Sequence, residues 1–258
     1  MVHVVVGIGN TNCRVAAVGP SGIEGSPVVF PSASADRDAF IGALQGLRQR
    51  FPKAVCVVCS VVPRLTQAAA QACRSVFSAP PLEVRPEMVS WMGLRYEPVS
   101  ALGADRLCVV LGARSRYGYP SITVDFGTAV TVNVLDAAGD FAGGCILPGI
   151  ELSLRALKEG TAQLPSVEVP TVAPPLPARN THDALRTGAY WCLRFGVEGI
   201  VRELRRVLGG NAMVLFTGGG AEVFGEIPVE GIITDPYLLF FGAAEYVAHA
   251  LVARRPGI

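Results

Sequence analysis

The sequence predicts an α/β fold of two lobes, each a mixed sheet flanked by helices. Three observations carry this reading. Apolar runs of strand type alternate with segments of helical period along the 258 residues. Two hairpins of one design stand about half a chain apart, VVVGIGNTNCRVAAV from Val4 and VDFGTAVTVNVL from Val124. The chain up to Val84 runs in the order β-β-β-α-β-α-β, which suits a sheet with one antiparallel and one parallel side. The lobes are expected at 1–118 and 119–258.

In order, strands are expected over 2–6, 12–18 and 22–30, then a helix over 35–50 with Phe40, Ile41, Leu44 and Leu47 at helical spacing, closed by Pro52. A buried strand at 54–59 leads through Ser60-Val61-Val62-Pro63 into a helix ending near Phe77, and 82–84 reads as a short strand. An apolar helix is expected over 107–115. The second hairpin turns at Ala138-Gly139-Asp140 and ends at Pro148-Gly149. A helix over 149–160 follows, then a Pro-rich ordered loop over 165–178 and a long helix capped by Thr181 and reaching about Leu208. A strand at 213–216 runs into Thr217-Gly218-Gly219-Gly220; a strand at 231–234 and a helix over 237–253 close the chain.

The turns hold the chemistry. In the second hairpin Asp125, Gly127 and Thr128 place a carboxylate, a glycine open to close backbone approach and a hydroxyl within four residues, which suits a phosphate and its counter-cation. The first hairpin repeats the design from Gly7 to Asn12. Two such turns read as a duplicated phosphate clamp, one copy per lobe, with nucleotide held between them. The glycines after Thr217 are either a tight strand-to-helix turn or a flat surface for an adenosine, and the paired hairpins favour the adenosine. Asp105, near a helix start, is either an N-terminal cap or dipole partner for that helix or a general base.

Composition narrows the field. A formal charge of +1, with no Lys/Arg cluster interleaved with aromatics, argues against nucleic acid. The seven cysteines are scattered through apolar runs, as in a reduced compartment, and Cys56-Val57-Val58-Cys59 reads as buried thiols in preference to a redox or zinc pair. No signal-like segment precedes the first strand and no apolar run is long enough to span a bilayer, so a cytoplasmic protein without membrane contact is expected. The three histidines lack partners at metal-ligand spacing.

The hairpins place the chain with the ribonuclease H-like, two-lobed nucleotide-binding fold shared by actin, the heat-shock 70 chaperones and the sugar kinases. The motifs are more specific. In order come GNT at Gly9-Asn10-Thr11, SVVP at Ser60 to Pro63, Tyr96 seven residues ahead of GADR at Gly103 to Arg106, and DFGTA at Asp125 to Ala129. GG-x-I-x-PG from Gly143, TA-x-LP from Thr161, NT-x-x-A from Asn180 and TGG from Thr217 follow. Along essentially its whole length the sequence resembles the type III pantothenate kinases. The resemblance implies transfer of the ATP γ-phosphoryl group to the primary hydroxyl of pantothenate, the first step of coenzyme A synthesis, in a cytoplasmic homodimer with its substrate site at the subunit interface. It implies Asp105 as catalytic base and Tyr96, Gly103, Ala104, Arg106 and Thr181 at pantothenate, Thr181 coming from the partner subunit. It assigns ATP contacts to Gly7, Ile8, Gly9, Asn10, Thr11, Asn12, Cys13, Arg14, Thr128, Gly218 and Gly219. It further implies Mg²⁺ or another divalent cation with the ATP, and a monovalent cation, K⁺ or NH₄⁺, at Asp125.

Departures from the family pattern accompany it. Gly7 stands where the family has the Asp of D-x-G-N-T, and losing that electrostatic group implies a turnover lower by on the order of 10²–10³. Asn133 replaces an Asp, Val130 and Val132 replace Thr and Phe, and Pro98-Val99 replaces Asn-Pro. Two alternatives to the kinase therefore stay open: a non-catalytic homologue that binds nucleotide or pantothenate in an accessory or regulatory role, and a kinase of another small hydroxylated substrate.

Overall fold

The computed structural model describes residues 1–224 and 230–253. In chain order the elements are β1 (His3–Ile8), β2 (Asn12–Gly19), β3 (Gly22–Ile23), β4 (Val28–Pro31), α1 (Arg37–Arg50), β5 (Val55–Ser60), α2 (Pro63–Phe77), β6 (Leu82–Glu83) and α3 (Ala104–Tyr117). They continue with β7 (Ser121–Phe126), β8 (Ala129–Leu135), β9 (Phe141–Pro148), α4 (Ile150–Gly160), α5 (Thr181–Val207), β10 (Met213–Thr217), β11 (Ile232–Thr234) and α6 (Leu238–Ala253).

Packing divides the described residues into two compact units. One comprises 1–118, 139–142 and 237–253; the other comprises 119–138 and the described part of 143–236. The expected lobe boundary at 118/119 therefore has a qualification: the last helix, expected with the second lobe, groups with the first unit. The physical reason is the packing of α6 against α3 and the β1–β2–β5 face.

The two sheets share one plan. In the first unit the order is β3-β2-β1-β5-β6, with β4 also pairing β2; in the second it is β11-β10-β7-β8-β9. In each, the first strand pairs antiparallel with its successor and parallel with a strand that arrives after a helical crossover. Strand β1 is buried along its whole length, as expected of a central strand covered on both faces. One face of this sheet packs Val4, Val6 and Ile8 against Phe40, Leu44 and Leu65 of α1 and α2. In the second unit Ile122, Val124 and Phe126 pack against Tyr190, Leu193 and Val197 of α5.

Local chemistry fixes most boundaries. Asp36 caps α1 by accepting from the Ala39 amide at 2.8 Å, and Pro63 opens α2, where a missing N–H costs nothing. Several expected boundaries shift. The segment 22–30 forms two short strands, both paired with β2. Helix α3 begins at Ala104, with Gly103 at the cap, which puts Asp105 inside the first turn. The cap of α5 is Asn180, whose side chain accepts from the Asp183 amide at 2.9 Å, so Thr181 is the first helical residue. Cys56 and Cys59 stand three apart on β5, hence on opposite faces, and both are buried free thiols.

The loop between α4 and α5 has no regular structure but is anchored. Trp191 Nε1 donates to the Pro174 carbonyl at 3.0 Å, and Thr187 Oγ1 to that of Pro175 at 3.2 Å.

Helices α3 and α6 cross with backbones in contact. A Cβ on Gly242 would overlap the Cys108 carbonyl, and one on Gly112 would overlap that of Leu238. Gly242→Ala is therefore expected to destabilise the protein by about 1–3 kcal/mol in urea titration, because the obstacle is backbone and cannot rotate away. Gly46→Ala, on an open face of α1 with nothing within 4 Å, is expected to gain about 0.5–1 kcal/mol in the same measurement.

Candidate functional site

The β1–β2 ladder extends further than its sequence indicates: Gly7 pairs with Arg14 and Ile8 with Cys13 inside it, leaving Gly9 to Thr11 as the turn. The turn is closed by the Gly9 amide donating to the Asn12 carbonyl at 3.0 Å. Ser32 fastens it from outside. Its amide donates to the Thr11 carbonyl at 2.8 Å and its hydroxyl to that of Gly9 at 2.7 Å, while Cys13 Sγ lies 3.4 Å from the same hydroxyl. Burial raises the proton affinity of the Cys13 thiol, opposed by the Ser32 hydrogen bond and by the positive charge of Arg64. Asn10 and Thr11, at the tip, are exposed.

This turn is tied to the GADR segment through Val61. The Val61 amide donates to the Ile8 carbonyl at 3.1 Å, and a Cβ on Gly103 would lie 3.7 Å from Val61 Cγ1. The same Cβ would overlap Asp105 Oδ1, so the carboxylate occupies space that any residue with a side chain would need. Asp105 Oδ1 accepts from the Arg106 amide at 2.7 Å. Desolvation raises its pKa above the ordinary aspartate value, and this outweighs the opposing effects of the Arg106 amide and guanidinium. A cavity of about 500 Å³ begins at Ser60 and Val61 and follows α2 past Thr66, Gln67 and Arg74 to Glu83.

Arg106 is only 5% exposed. Its Nη1 donates to the Tyr96 hydroxyl at 3.2 Å, and its guanidinium carbon lies 5.4 Å from the Tyr96 ring centre and 5.6 Å from that of Phe141. The two rings are 6.0 Å apart. Phe141 is held there by its amide donating to the Gly93 carbonyl and by its carbonyl accepting from the Arg95 amide, both at 2.9 Å. Nothing in the sequence around Phe141 marks it as a partner of Arg106.

In the second unit three glycine-bearing turns converge on β7. The register sets Asp125 beside Thr217 on one side and Thr131 on the other. Gly218, at φ +87°, lies against Asp125: a Cβ there would overlap Asp125 Oδ1 and come within 2.7 Å of the Phe126 amide and carbonyl. Only glycine meets both demands. The Gly220 amide donates to the Phe126 carbonyl at 3.0 Å, and the Gly149 amide to that of Thr128, also at 3.0 Å. Asp125, Thr128, Gly218 and Gly219 thus meet at one end of this sheet, together with Gly149, which the motif reading had not singled out as a site residue. Thr181 is exposed at the start of α5, directly after the Asn180 cap.

A family model described as type III pantothenate kinase matches residues 3–203. The chain belongs to the type III pantothenate kinase family. It is 36% identical over 222 residues to the type III pantothenate kinase of Rubrobacter xylanophilus, covering 84% of this chain and 83% of that protein. To the one from Koribacter versatilis it is 37% identical over 169 residues, covering 66% of this chain and 61% of that protein. A ROK family glucokinase from Streptomyces griseus, solved with glucose and AMPPNP, superposes with a TM-score of 0.56 at 10% identity, covering 95% of this chain and 99% of that one. That likeness shows the fold alone, and it is the sugar-kinase fold.

Among the departures that accompany the resemblance, residue 7 is the chief one. Gly7 offers no side-chain oxygen, and a Cβ on it would lie 2.9 Å from Leu239 Cδ2 of α6. Among the described residues no group of three or more His, Cys, Asp or Glu side chains is placed to hold a metal ion. The first hairpin therefore does not fit a divalent cation held from residue 7. Asn133 belongs to the sheet: fully buried, it donates from Nδ2 to Thr123 Oγ1 at 3.2 Å across the β7–β8 pair. Among the described residues no helix is long and apolar enough to cross a membrane.

Gly103→Ala tests the Asp105 seat. With φ at −61° the backbone tolerates alanine, so the variant is expected to fold. Its methyl group must displace the carboxylate, and a loss of about 10²-fold in kcat is expected from an ADP-release assay, with little change in thermal midpoint.

Proposed function

We propose that the chain transfers the γ-phosphoryl group of ATP to the primary hydroxyl of pantothenate. The observation that carries this is the Asp105 carboxylate, half-buried, seated over Gly103 and raised in proton affinity, in the motif that the resemblance places at pantothenate. Asp105 takes the hydroxyl proton as the substrate oxygen forms its bond to the γ-phosphorus. The bond from that phosphorus to the β–γ bridging oxygen breaks, and ADP leaves with the electron pair. Desolvation brings the base closer to the proton it must accept, which favours general-base work near neutral pH. Tyr96, Gly103, Ala104 and Arg106 hold pantothenate; the guanidinium of Arg106, steadied by two rings, is suited to the substrate's carboxylate or carbonyl oxygens.

The Gly7 to Arg14 hairpin, Thr128, Gly218 and Gly219 contact ATP. The family uses ATP with a divalent cation. Asp125, with its carboxylate against the Gly218 turn and the Phe126 carbonyl close by, supplies the hard oxygen donors that K⁺ or NH₄⁺ prefers; such an ion would add positive charge beside the phosphates. The working form is a homodimer in the cytoplasm in which the partner subunit's Thr181 completes the pantothenate site. The exposed position of Thr181 at the head of α5, open to a second copy of the chain, supports the dimer.

One observation favours a second reading. With Leu239 against Gly7 the first hairpin lacks an acid, as in a homologue that binds its ligands without turning them over. A coupled ADP-release assay with pantothenate, Mg²⁺ or Mn²⁺, with and without K⁺, separates the two. Asp105→Asn is expected to lower kcat by about 10²–10⁴. Tight pantothenate binding without turnover in the unaltered protein would establish the second reading instead.

The pH profile gives an independent check. The folded-state pKa of Asp105 is raised, so the base is lost to protonation at a higher pH than an exposed aspartate would be. The acidic limb of kcat/KM is expected above the ordinary value of about 3.9, and a limb at or below that value would remove Asp105 as the base.

A further inference from the structure

The β1–β2 register sets Gly7 directly opposite Arg14, so the two positions share one face of the sheet. One member of this pair has no side chain and the other carries a guanidinium. Arg14 is half-buried, and among the described residues no acidic side chain pairs with it. Leu239 puts a methyl group beside position 7. Arg14 is therefore the one charged member of this facing pair, where a cation-binding turn needs a carboxylate.

We propose that the first hairpin meets phosphate charge directly through the Arg14 guanidinium, so that the chain binds ADP and ATP without a divalent cation. The proposal rests on the reading of that hairpin as the phosphate turn. A guanidinium offers a planar fork of N–H donors that matches two phosphate oxygens, and a buried setting strengthens such bonds. A carboxylate at position 7, about 4.5–5.5 Å away between Cβ atoms, would neutralise it. Glycine leaves its charge available to the ligand.

The test is the anisotropy of a fluorescent ADP analogue titrated with the full chain in EDTA and in Mg²⁺. Affinity in EDTA is expected within about threefold of that in Mg²⁺, and Arg14→Gln is expected to weaken binding in EDTA roughly tenfold, as for loss of one charge-assisted contact. Gly7→Asp combined with Leu239→Ala gives a carboxylate the room it needs opposite Arg14. That variant is expected to lose a similar factor in EDTA and to regain it when Mg²⁺ is added, and it carries the test should Arg14→Gln fail to fold. Binding by the unaltered protein only in Mg²⁺, or an unchanged affinity in EDTA for Arg14→Gln, overturns the proposal while leaving the phosphate turn in place. No binding in either medium overturns both.

Discussion

Where α3 crosses α6, Gly112 and Gly242 let two backbones pass at a separation that no Cβ tolerates, and much of the first unit follows from that crossing. It fixes the depth at which α6 lies on the sheet. From that depth the Tyr246 hydroxyl accepts from the Arg85 amide at 3.3 Å, and the His249 ring stacks on Trp91 with centres 4.5 Å apart. Leu239, one turn from the crossing, comes to rest on Gly7. A contact made for packing thereby sets the chemistry of a hairpin more than two hundred residues away in the chain. The second unit uses the same device on a smaller scale, where Gly149 and Gly218 bring separate turns onto the end of β7.

Asp105 and Arg106 show how burial and pairing compete in adjacent residues. Both leave water, and burying a charge is unfavourable unless something replaces its hydration. Arg106 gains two aromatic faces and a phenol oxygen, a setting suited to a weakly hydrated guanidinium. Asp105 gains the Arg106 amide, its own amide and a neighbouring positive charge, and desolvation still dominates. A carboxylate left under-compensated in this way holds a proton more readily than one in water, the property that the proposed role of accepting a hydroxyl proton calls for.

Order and type of the elements were legible because they rest on local chemistry. Continuous apolar runs marked β1 and β5, Pro63 marked the start of α2, and the paired glycine-threonine turns marked the hairpins. Errors cluster where the deciding contact is distant or where two local signals compete. Thr181 looked like a cap, yet the preceding Asn180 takes the Asp183 amide, because amide side chains at that position compete well with hydroxyls. Helix α3 starts three residues before its apolar run, since Ala104 and Asp105 are helical without being part of that pattern. The placement of Phe141 under Arg106 and of Leu239 on Gly7 had no local signature at all. Both come from tertiary packing between segments far apart in sequence, and no periodicity encodes them.

The shared plan of the two sheets allows their turns to be compared position by position. Gly7 and Asp125 are each the next-to-last residue of the first strand of their unit, and Arg14 and Thr131 are each the third residue of the second strand. The registers pair them in the same way, Gly7 with Arg14 and Asp125 with Thr131. One backbone design therefore presents a carboxylate opposite a hydroxyl in the second unit and a guanidinium opposite an empty position in the first. The carboxylate of the second unit's hairpin suits a cation, and the guanidinium of the first unit's hairpin suits an anion. The same geometry occurs twice, and the side chains at the two facing positions give the two hairpins charges of opposite sign. The fold tolerates that difference because hairpin closure depends on backbone groups, among them the Gly9 amide, the Asn12 carbonyl and the amide of Ser32, and none of these involves the facing side chains.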